Sequence, residues 1–399
     1  MTLFGSKQAP CPYCYTLIDP SKPWYRCSGF PAPGRPKCQL EEDERRKTVL
    51  YDAQPVRESF EPNGEKGSDG RPLCPTCKGG TGTRVCSNCH SPLPTEFTEN
   101  SPLFGMVGVR GSGKTVMLTV LSGELQTTLA RRLDAVIDPI GDSPFLLTLK
   151  KKRQEFDAGE ASLPSQTSTN PADTRHPAVF SLSSKVKNSY GVEREVATVF
   201  SFLDTAGENL GGADRARDVQ YLAAASGLVL LLNPFAFNKE NQVRGQQRGL
   251  DPRDFATEPI AVLRNITEAL REHEHLKPKK KIRKPIAVVL GMIDAFFDEI
   301  EPDSPIMQPS PTGRYYDEQD GKVVHDYVAA LIAKWGGDNI LRHLDQYYET
   351  YRLFAISALG AQPNYSTKTT SSRGIQPHRV SEPLLWLMAC RGLVTVKKA

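Results

Sequence analysis

The fold is decided by Gly108-Val109-Arg110-Gly111-Ser112-Gly113-Lys114-Thr115, a stretch that fits the pattern G-x-x-x-x-G-K-[ST] without a mismatch. An apolar run at residues 103–107 leads in as a strand, and residues 116–121 lead out as a helix. This setting predicts a phosphate-binding loop, because its N–H groups and the helix N-terminus present partial positive charge to a polyphosphate. The alternative, a glycine-rich turn with a chance lysine, leaves the flanking elements unexplained.

Residues 108–115, the phosphate loop, have separate predicted roles. Glycines let the backbone approach a phosphate closely. Lys114 is expected to reach the β- and γ-phosphates, and Thr115 to place its hydroxyl on Mg²⁺. The predicted nucleotide contacts in and after the loop are Gly108, Arg110, Gly111, Ser112, Gly113, Lys114, Thr115 and Val116.

Composition points to an ordinary globular protein. The chain has 399 residues, enough for a core domain and a smaller module. Fifty basic residues against 46 acidic ones give no argument for nucleic acid by charge alone. No apolar run approaches the roughly 20 residues of a membrane span, and the first ten residues lack the apolar core of a secretory signal. The sequence therefore predicts a cytoplasmic protein without a transmembrane segment.

Eight of the nine cysteines lie before residue 90, mostly in C-x-x-C pairs, and predict metal sites rather than disulfides. Such a turn points two thiolates at one ion. The simplest pairing joins consecutive turns into a zinc-ribbon-like site of Cys74, Cys77, Cys86 and Cys89, with Cys11, Cys14, Cys27 and Cys38 as a second zinc site. A crossed pairing between these two groups stays open. His90 is interpreted as a solvated histidine, and residues 40–70 as a charged loop or hairpin.

The predicted domains are a zinc-binding N-terminal module at residues 1–98 and an α/β domain at residues 99–399. For the module, a structural or protein-docking role is favoured over nucleic-acid binding. A second basic feature is residues 277–284, with six positive residues in eight. The simplest interpretation of this run is a solvated loop. The alternative is a loop that binds an anionic membrane surface or a nucleic acid.

A second phosphate-sensing segment is predicted further along the chain. The polar residues 157–177 contain Thr167, Thr169 and Thr174, of which Thr167 is the chosen Mg²⁺ ligand. Two strands follow, at residues 178–186 and 195–203, and the second ends in Asp204-Thr205-Ala206-Gly207-Glu208. An acid at the tip of a buried strand can hold Mg²⁺ through water.

At this point the chain resembles the Ras-like, translation-factor-related class of P-loop GTPases, whose D-x-x-G switch it copies. The resemblance implies that the Gly207 N–H approaches the γ-phosphate. Glu208 stands where Ras-type enzymes place a water-orienting glutamine. It is interpreted as a sign of slow intrinsic hydrolysis or partner dependence; a working water-positioner and a plain surface glutamate are the alternatives.

The base-recognition motifs match the family in part. Gly291-Met292-Ile293-Asp294 keeps the aspartate of Asn-Lys-x-Asp, which in the family bonds the guanine N1 and N2 hydrogens, and Met292 could cover one face of the base. Ser357-Ala358-Leu359-Gly360 resembles the Ser-Ala-Lys loop, whose alanine N–H bonds guanine O6. The resemblance therefore implies guanine, and leaves adenine as the alternative.

Together these features predict an α/β P-loop NTPase fold, Ras-like, with a mostly parallel sheet flanked by helices. Insertions are expected near residues 235–284 and 298–323, residues 238–254 are expected to be a polar loop, and Cys390 a packed thiol. The predicted function is Mg²⁺-dependent GTP binding with slow hydrolysis by Lys114, Gly207 and Glu208, as a switch whose zinc module docks a protein partner. The chain looks most like bacterial double-GTPases, which implies a role in conflict or antiviral defence. An ATPase, or a non-hydrolysing scaffold with nucleic-acid-binding zinc ribbons, is the alternative.

Overall fold

The computed structural model describes residues 8–98, 100–108, 111–140, 144–159, 161–163, 177–187, 193–202, 204–206, 215–364 and 367–398. Two parts are evident within these ranges. A small N-terminal module holds eight of the cysteines, and an α/β core follows it with a parallel sheet flanked by helices. The predicted fold class is confirmed.

The N-terminal module is built from short antiparallel strands and one helix. Its strands are β1 (Ala9–Pro10), β2 (Leu17–Ile18), β3 (Trp24–Arg26), β4 (Ser59–Phe60) and β5 (Arg84–Val85). They pair as β1-β2 and as β4-β3-β5. Helix α1 (Glu44–Leu50) lies within the predicted loop at residues 40–70, so that prediction is wrong at this point. The Asp43 side chain caps the helix by accepting from the N–H groups of Arg45 and Arg46.

Five parallel strands make the central sheet, in the order β10-β6-β11-β12-β14. The strands of the core are β6 (Phe104–Gly108), β7 (Ala135–Pro139), β8 (Ala178–Lys187), β9 (Glu193–Phe202), β10 (Asp204–Ala206), β11 (Gly227–Leu232), β12 (Ile286–Leu290), β13 (Tyr315–Asp317), β14 (Tyr351–Ala355) and β15 (Thr395–Lys397). An antiparallel sheet, β7-β8-β9, joins the central one through a parallel bridge between Leu103 and Ser201. The parallel order puts the strand C-termini, and hence the phosphate loop, at one edge.

Helices cover both faces of the sheet. They are α2 (Lys114–Glu124), α3 (Ala130–Leu133), α4 (Pro144–Ala158), α5 (Arg215–Ala224), α6 (Lys239–Gln247), α7 (Pro259–His273), α8 (Glu318–Lys334), α9 (Asp338–Tyr347) and α10 (Glu382–Cys390), and a π-helical segment, Leu125–Leu129, joins α2 to α3. Strand β11 shows how the layers are divided. Leu228, Leu230 and Leu232 pack with α5, α7, α8 and α9, whereas Val229 and Leu231 pack with α2, α4 and α10. Successive residues of a strand point to opposite faces, so an all-apolar strand serves two cores.

Two further expectations from the sequence are corrected. Helix α6 lies in the predicted polar loop at residues 238–254, where Asn238 caps it by accepting from the Asn241 N–H at 2.8 Å. Helix α8 begins at Glu318, inside residues 298–323, whose assignment as an insertion stays a prediction. Cys390, predicted to be packed, is exposed at the last position of α10. In the ranges that the structure describes, every helix is too short or too polar to cross a membrane.

Candidate functional site

The phosphate loop joins the C-terminus of β6 to the N-terminus of α2, as predicted. Gly111 and Gly113 have φ angles of 69° and 83°, in the left-handed region that favours glycine. Lys114 is buried, and its Nζ donates to the Gly108 carbonyl oxygen at 2.9 Å. The lysine is therefore held across the mouth of the loop. Val109 and Arg110 lie outside the described residues.

A buried asparagine supports the loop from the next strand. Asn233 directly follows β11, and its Nδ2 donates to the carbonyl oxygens of Gly111 at 3.2 Å and Asp254 at 3.0 Å. The turn carrying Asp254 lies so close that a Cβ on Gly111 would be 2.4 Å from the Asp254 Cβ. Sequence reasoning missed both residues. A polar side chain at the tip of an all-apolar strand was the available signal for Asn233, the same one that identified Asp204.

Asn233→Ala is expected to weaken nucleotide binding by up to about 30-fold, since two hydrogen bonds of roughly 1 kcal/mol each hold the loop. Isothermal titration with GTP measures it. Asn233 also caps the short turn Pro234–Ala236 by accepting from the Phe235 N–H. Asn238→Ala is the matched control, because it too removes an N-cap and a side-chain hydrogen bond to a backbone carbonyl, that of Trp335, away from the loop. Equal losses of affinity in both variants would contradict a local role for Asn233.

A cavity adjoins the phosphate loop. The residues around it come from both predicted motifs: Ser112, Gly113 and Val116 of the loop and α2, and Met292, Asp294, Ala358 and Leu359 of the base-recognition segments. Apolar side chains, Met117, Leu163, Leu231, Ile356 and Pro363 among them, complete the lining. An apolar slot with one carboxylate beside a phosphate loop suits a flat heterocyclic base joined to a phosphate chain.

The two departures from the family motif have structural reasons. A Cβ on Gly291 would lie 2.8 Å from the Ser112 carbonyl oxygen, so only glycine lets this segment approach the phosphate loop so closely. Met292 is left-handed, with φ 51°, and its Cγ would be 3.7 Å from a Cβ on Gly113. Met292 thus borders both the loop and the cavity, where a flexible thioether can pack against a ring.

Asp294 and Ser357 form one hydrogen-bonded unit. The Ser357 hydroxyl donates to Asp294 Oδ1 at 2.6 Å and accepts from the Gly360 N–H at 2.8 Å. Burial raises the pKa of the Asp294 carboxyl, while the Ser357 hydrogen bond and the positive charge of Arg248 oppose that rise. Ser357 therefore favours the ionised carboxylate, the form that accepts N–H donors from a base.

Ser357→Ala is expected to weaken GDP binding about ten-fold at neutral pH, the usual loss for a hydrogen bond to a charged group. It should also raise the pH below which GDP binding weakens. Without the serine, the pKa of Asp294 rises further, and as the pH falls the carboxylate protonates sooner and stops accepting. Fluorescent-GDP titrations from neutral to acidic pH measure both effects. If GDP binding by the variant weakens at the same pH as in wild type, this role of Ser357 is wrong.

The Mg²⁺ ligands are described only in part. Asp204 pairs with Met106 in the register of β10 and β6, and Ala206 pairs with Gly108, so β10 ends beside the phosphate loop. Thr115 lies in the first turn of α2. Thr167, Gly207 and Glu208 lie outside the described residues. Their roles, like the Asp204 and Thr115 contacts to Mg²⁺, stay predictions.

The eight N-terminal cysteines form two clusters of four in a nested order. The outer cluster is Cys11, Cys14, Cys86 and Cys89, and the inner cluster is Cys27, Cys38, Cys74 and Cys77; in each the four sulfurs lie within 4.8 Å of one another. The pairing of consecutive turns is therefore wrong. Each cluster takes one pair from each predicted group, because the strand order β4-β3-β5 brings the chain ends of the module together.

The geometry of both clusters fits zinc. Sulfur pairs lie 3.9 and 3.8 Å apart in the outer cluster and 3.5 and 3.8 Å apart in the inner one. A tetrahedron of Zn–S bonds has edges of about 3.8 Å, far longer than a disulfide bond. The residue after each C-x-x-C turn has a left-handed backbone conformation; these residues are Tyr15, Lys78 and His90. His90, predicted to be solvated, is buried and pairs through Nδ1 with Asp43 at 2.7 Å.

Comparisons with known proteins find distant similarities in sequence and in structure. No family model matches the chain. SaeC of Mycolicibacterium smegmatis, which is named for scaffolding and assembly of ESX-1, is 25% identical over 332 residues, 78% of this chain and 80% of SaeC. Among solved structures, the GTP-bound GTPase-like domain of Ski7 from S. cerevisiae matches 73% of this chain with 13% identity and a TM-score of 0.32. The match spans about half, 51%, of the Ski7 chain.

Two more solved structures are similar at the same distant level. Era from Aquifex aeolicus bound to GDP and AlF₄⁻ has 14% identity and a TM-score of 0.21 over 65% of this chain and 52% of its own. The GDP-bound signal recognition particle receptor SRb from Chaetomium thermophilum has 12% identity and a TM-score of 0.22 over 67% of this chain and 94% of its own.

Proposed function

We propose that this protein binds GTP with Mg²⁺, hydrolyses it slowly, and acts as a nucleotide-dependent switch. One observation carries the proposal: a single cavity is lined by Gly113 of the phosphate loop, by Asp294 and by Ala358. These are the positions at which a guanine nucleotide needs a phosphate cradle, an acceptor for N1 and N2 hydrogens, and a backbone N–H for O6. ATP offers no such pair of hydrogens to Asp294.

In this proposal catalysis rests on positioning and charge. Lys114 leaves the Gly108 carbonyl and binds the β- and γ-phosphates. Thr115, Thr167 and Asp204 would hold Mg²⁺, and the ion would supply positive charge for phosphoryl transfer. The Gly207 N–H contacts the γ-phosphate. Glu208 in place of a neutral amide accounts for a slow intrinsic rate, because a carboxylate cannot donate a hydrogen bond to the attacking water.

Contacts between the N-terminal module and the core support a switch. Tyr15, next to Cys14 of the outer cluster, packs against Tyr221 of α5 with ring centroids 4.7 Å apart. The Tyr221 hydroxyl donates to the Phe104 carbonyl at 3.1 Å and accepts from the Met106 N–H at 3.1 Å, both in β6, which leads into the phosphate loop. The outer cluster also shares a hydrophobic core with Val179 of β8 and Val199 of β9. The module thus touches the elements on either side of the D-x-x-G segment.

The partner of the switch is proposed to be a protein. The name of the 25% identical relative refers to scaffolding and assembly, which suits a zinc module that docks another chain. A scaffold that holds nucleotide without turnover is the second candidate, since Glu208 departs from the family. The role in antiviral defence that the double-GTPase resemblance implies stays a prediction.

A calorimetric titration of the full chain with GTP and with ATP, each with Mg²⁺, tests the proposal. GTP is expected to bind at least about ten-fold more tightly, as the loss of a charged hydrogen bond predicts for adenine. Asp294→Asn should narrow that preference while leaving ATP binding unchanged. Tighter ATP binding would overturn the guanine assignment, and binding of neither nucleotide would overturn the site. Phosphate release under the same conditions distinguishes the switch from the non-hydrolysing scaffold.

A further inference from the structure

The basic loop, residues 277–284, forms a compact surface feature between α7 and β12. Lys277, Lys279, Lys280, Lys281 and Arg283 are exposed. Arg283 lies 3.6 Å from Glu349, but among the described residues no ion pair involves the four lysines. Four positive charges therefore face solvent without an ion-pair partner in the part of the chain that the structure describes.

The backbone of this loop is held in place, unlike that of a freely solvated charge run. The Arg271 guanidinium donates to the carbonyl oxygens of Lys280 at 2.6 Å, Lys277 at 3.0 Å and Pro278 at 3.1 Å. Ile282 is fully buried and exchanges backbone hydrogen bonds with Tyr347 and Glu349. Because one arginine gathers three carbonyls inward, the lysines are concentrated in a fixed surface patch.

The sixth basic residue of the run turns inward. Lys284 Nζ donates to the Ala223 carbonyl oxygen at 2.8 Å and lies 3.7 Å from Glu274. Three acids lie on the neighbouring segments: Glu272 in the last turn of α7, Glu274 directly after it, and Glu349. Glu349 is paired with Arg283, and Glu274 with Lys284. The net charge of the exposed patch is thus positive.

The position of the loop separates it from the nucleotide site. It precedes β12, at the N-terminal edge of the parallel strands, whereas the phosphate loop follows the C-terminal end of β6. A nucleotide bound at the opposite edge does not neutralise these lysines. The patch is free to meet a second, larger anion.

We propose that this loop docks the protein on an anionic phospholipid membrane surface. Clusters of four or more Lys and Arg suit such a surface, because each charge adds attraction without a matching partner geometry. Within residues 259–290 and 339–350, all described, no Phe, Tyr, Trp or large aliphatic side chain is exposed, and the exposed rings there are the imidazoles of His273 and His275. The patch therefore lacks the large aromatic platforms on which single-stranded nucleic acid stacks, and the turn is neither a helix nor a ribbon for a DNA groove.

Vesicle flotation of the full chain tests the proposal, with vesicles of phosphatidylcholine alone and vesicles that also contain phosphatidylserine. Binding is expected only to the anionic vesicles and should weaken with salt. The variant with Lys277→Ser, Lys279→Ser, Lys280→Ser and Lys281→Ser should lose binding by about 100-fold or more, since each basic residue contributes about five-fold. GTP binding by this variant, measured in parallel, should be unchanged and reports that it is folded.

The matched control removes four other exposed lysines, with Lys150→Ser, Lys151→Ser, Lys322→Ser and Lys398→Ser, and should keep vesicle binding. If the control loses as much, net charge and not this loop drives the attraction, and the proposal is overturned. Fluorescence anisotropy with labelled single-stranded RNA and duplex DNA measures whether the protein binds nucleic acid instead. Wild-type protein that binds nucleic acid more tightly than anionic vesicles at equal ionic strength, with that binding lost in the loop variant, would overturn the membrane proposal. The ligand of the loop would then be a nucleic acid.

Discussion

Phosphate release from GTP is expected to fall by about 100-fold in Lys114→Ala, the loss that follows removal of one charge-stabilising donor from a phosphoryl or acyl transfer site. The side chain is buried, and its Nζ already lies at the mouth of the loop, 2.9 Å from the Gly108 carbonyl. Removing it takes away the predicted positive contact to the β- and γ-phosphates. Single-turnover release of labelled phosphate with saturating protein measures this effect separately from substrate affinity.

Lys284→Met is the matched control for the loss of a buried lysine. Lys284 also donates to backbone carbonyls, at the C-terminus of α5, and burial lowers its pKa to about 8. It lies at the opposite edge of the sheet from the phosphate loop. Phosphate release by Lys284→Met should stay within about two-fold of wild type. If both variants lose release equally, or if Lys114→Ala keeps the wild-type rate, the catalytic assignment of Lys114 is wrong.

Loss of the outer cysteine cluster is expected to unfold more of the chain than loss of the inner one. Structural zinc contributes about 10–16 kcal/mol in small zinc domains, comparable with the whole stability of a domain. Cys86→Ser removes a ligand of the cluster that packs with Val179 and Val199 of the core. Cys74→Ser removes the equivalent first cysteine of a turn in the inner cluster, which packs only with residues of the module among those described.

Each of these two variants is expected to bind one zinc fewer than wild type by inductively coupled plasma mass spectrometry. Cys86→Ser should also lower the melting temperature of the core and weaken GTP binding, whereas Cys74→Ser should leave GTP binding intact. Equal effects of the two substitutions on GTP binding would contradict the coupling of the outer cluster to the core. Full zinc content in Cys86→Ser would contradict the ligand assignment itself.

The phosphate loop could be predicted from sequence because motif, strand and helix are all local. The closeness of Asp294 and Ser357 could be predicted too, since each follows a strand of the parallel sheet, whose C-termini meet at one edge. Their role in base recognition stays a prediction. The zinc pairing could not be predicted. Any two C-x-x-C turns make an equivalent tetrahedron, and the choice depends on contacts between strands far apart in sequence.

Helices α1 and α6 were missed because both are strongly polar and have no apolar period. Their caps, Asp43 and Asn238, were the signals present. Asn233 was missed because its role depends on a carbonyl from the phosphate loop and another from the turn at Asp254, which no local pattern joins. The switch residues Thr167, Gly207 and Glu208 rest on the sequence alone.

The nested cysteine order also determines the order in which the two clusters can form while the chain is being synthesised. Cys27 and Cys77 of the inner cluster are 50 residues apart, whereas Cys11 and Cys89 of the outer cluster are 78 apart. All four ligands of the inner cluster are therefore available once Cys77 has left the ribosome. The outer cluster becomes complete only when the turn with Cys86 and Cys89 follows. Because loop closure becomes less favourable with length, a preformed inner cluster shortens the effective loop that the outer one must close. Synthesis from the N-terminus thus loads zinc from the inside outwards, before the core that the outer cluster supports has been made.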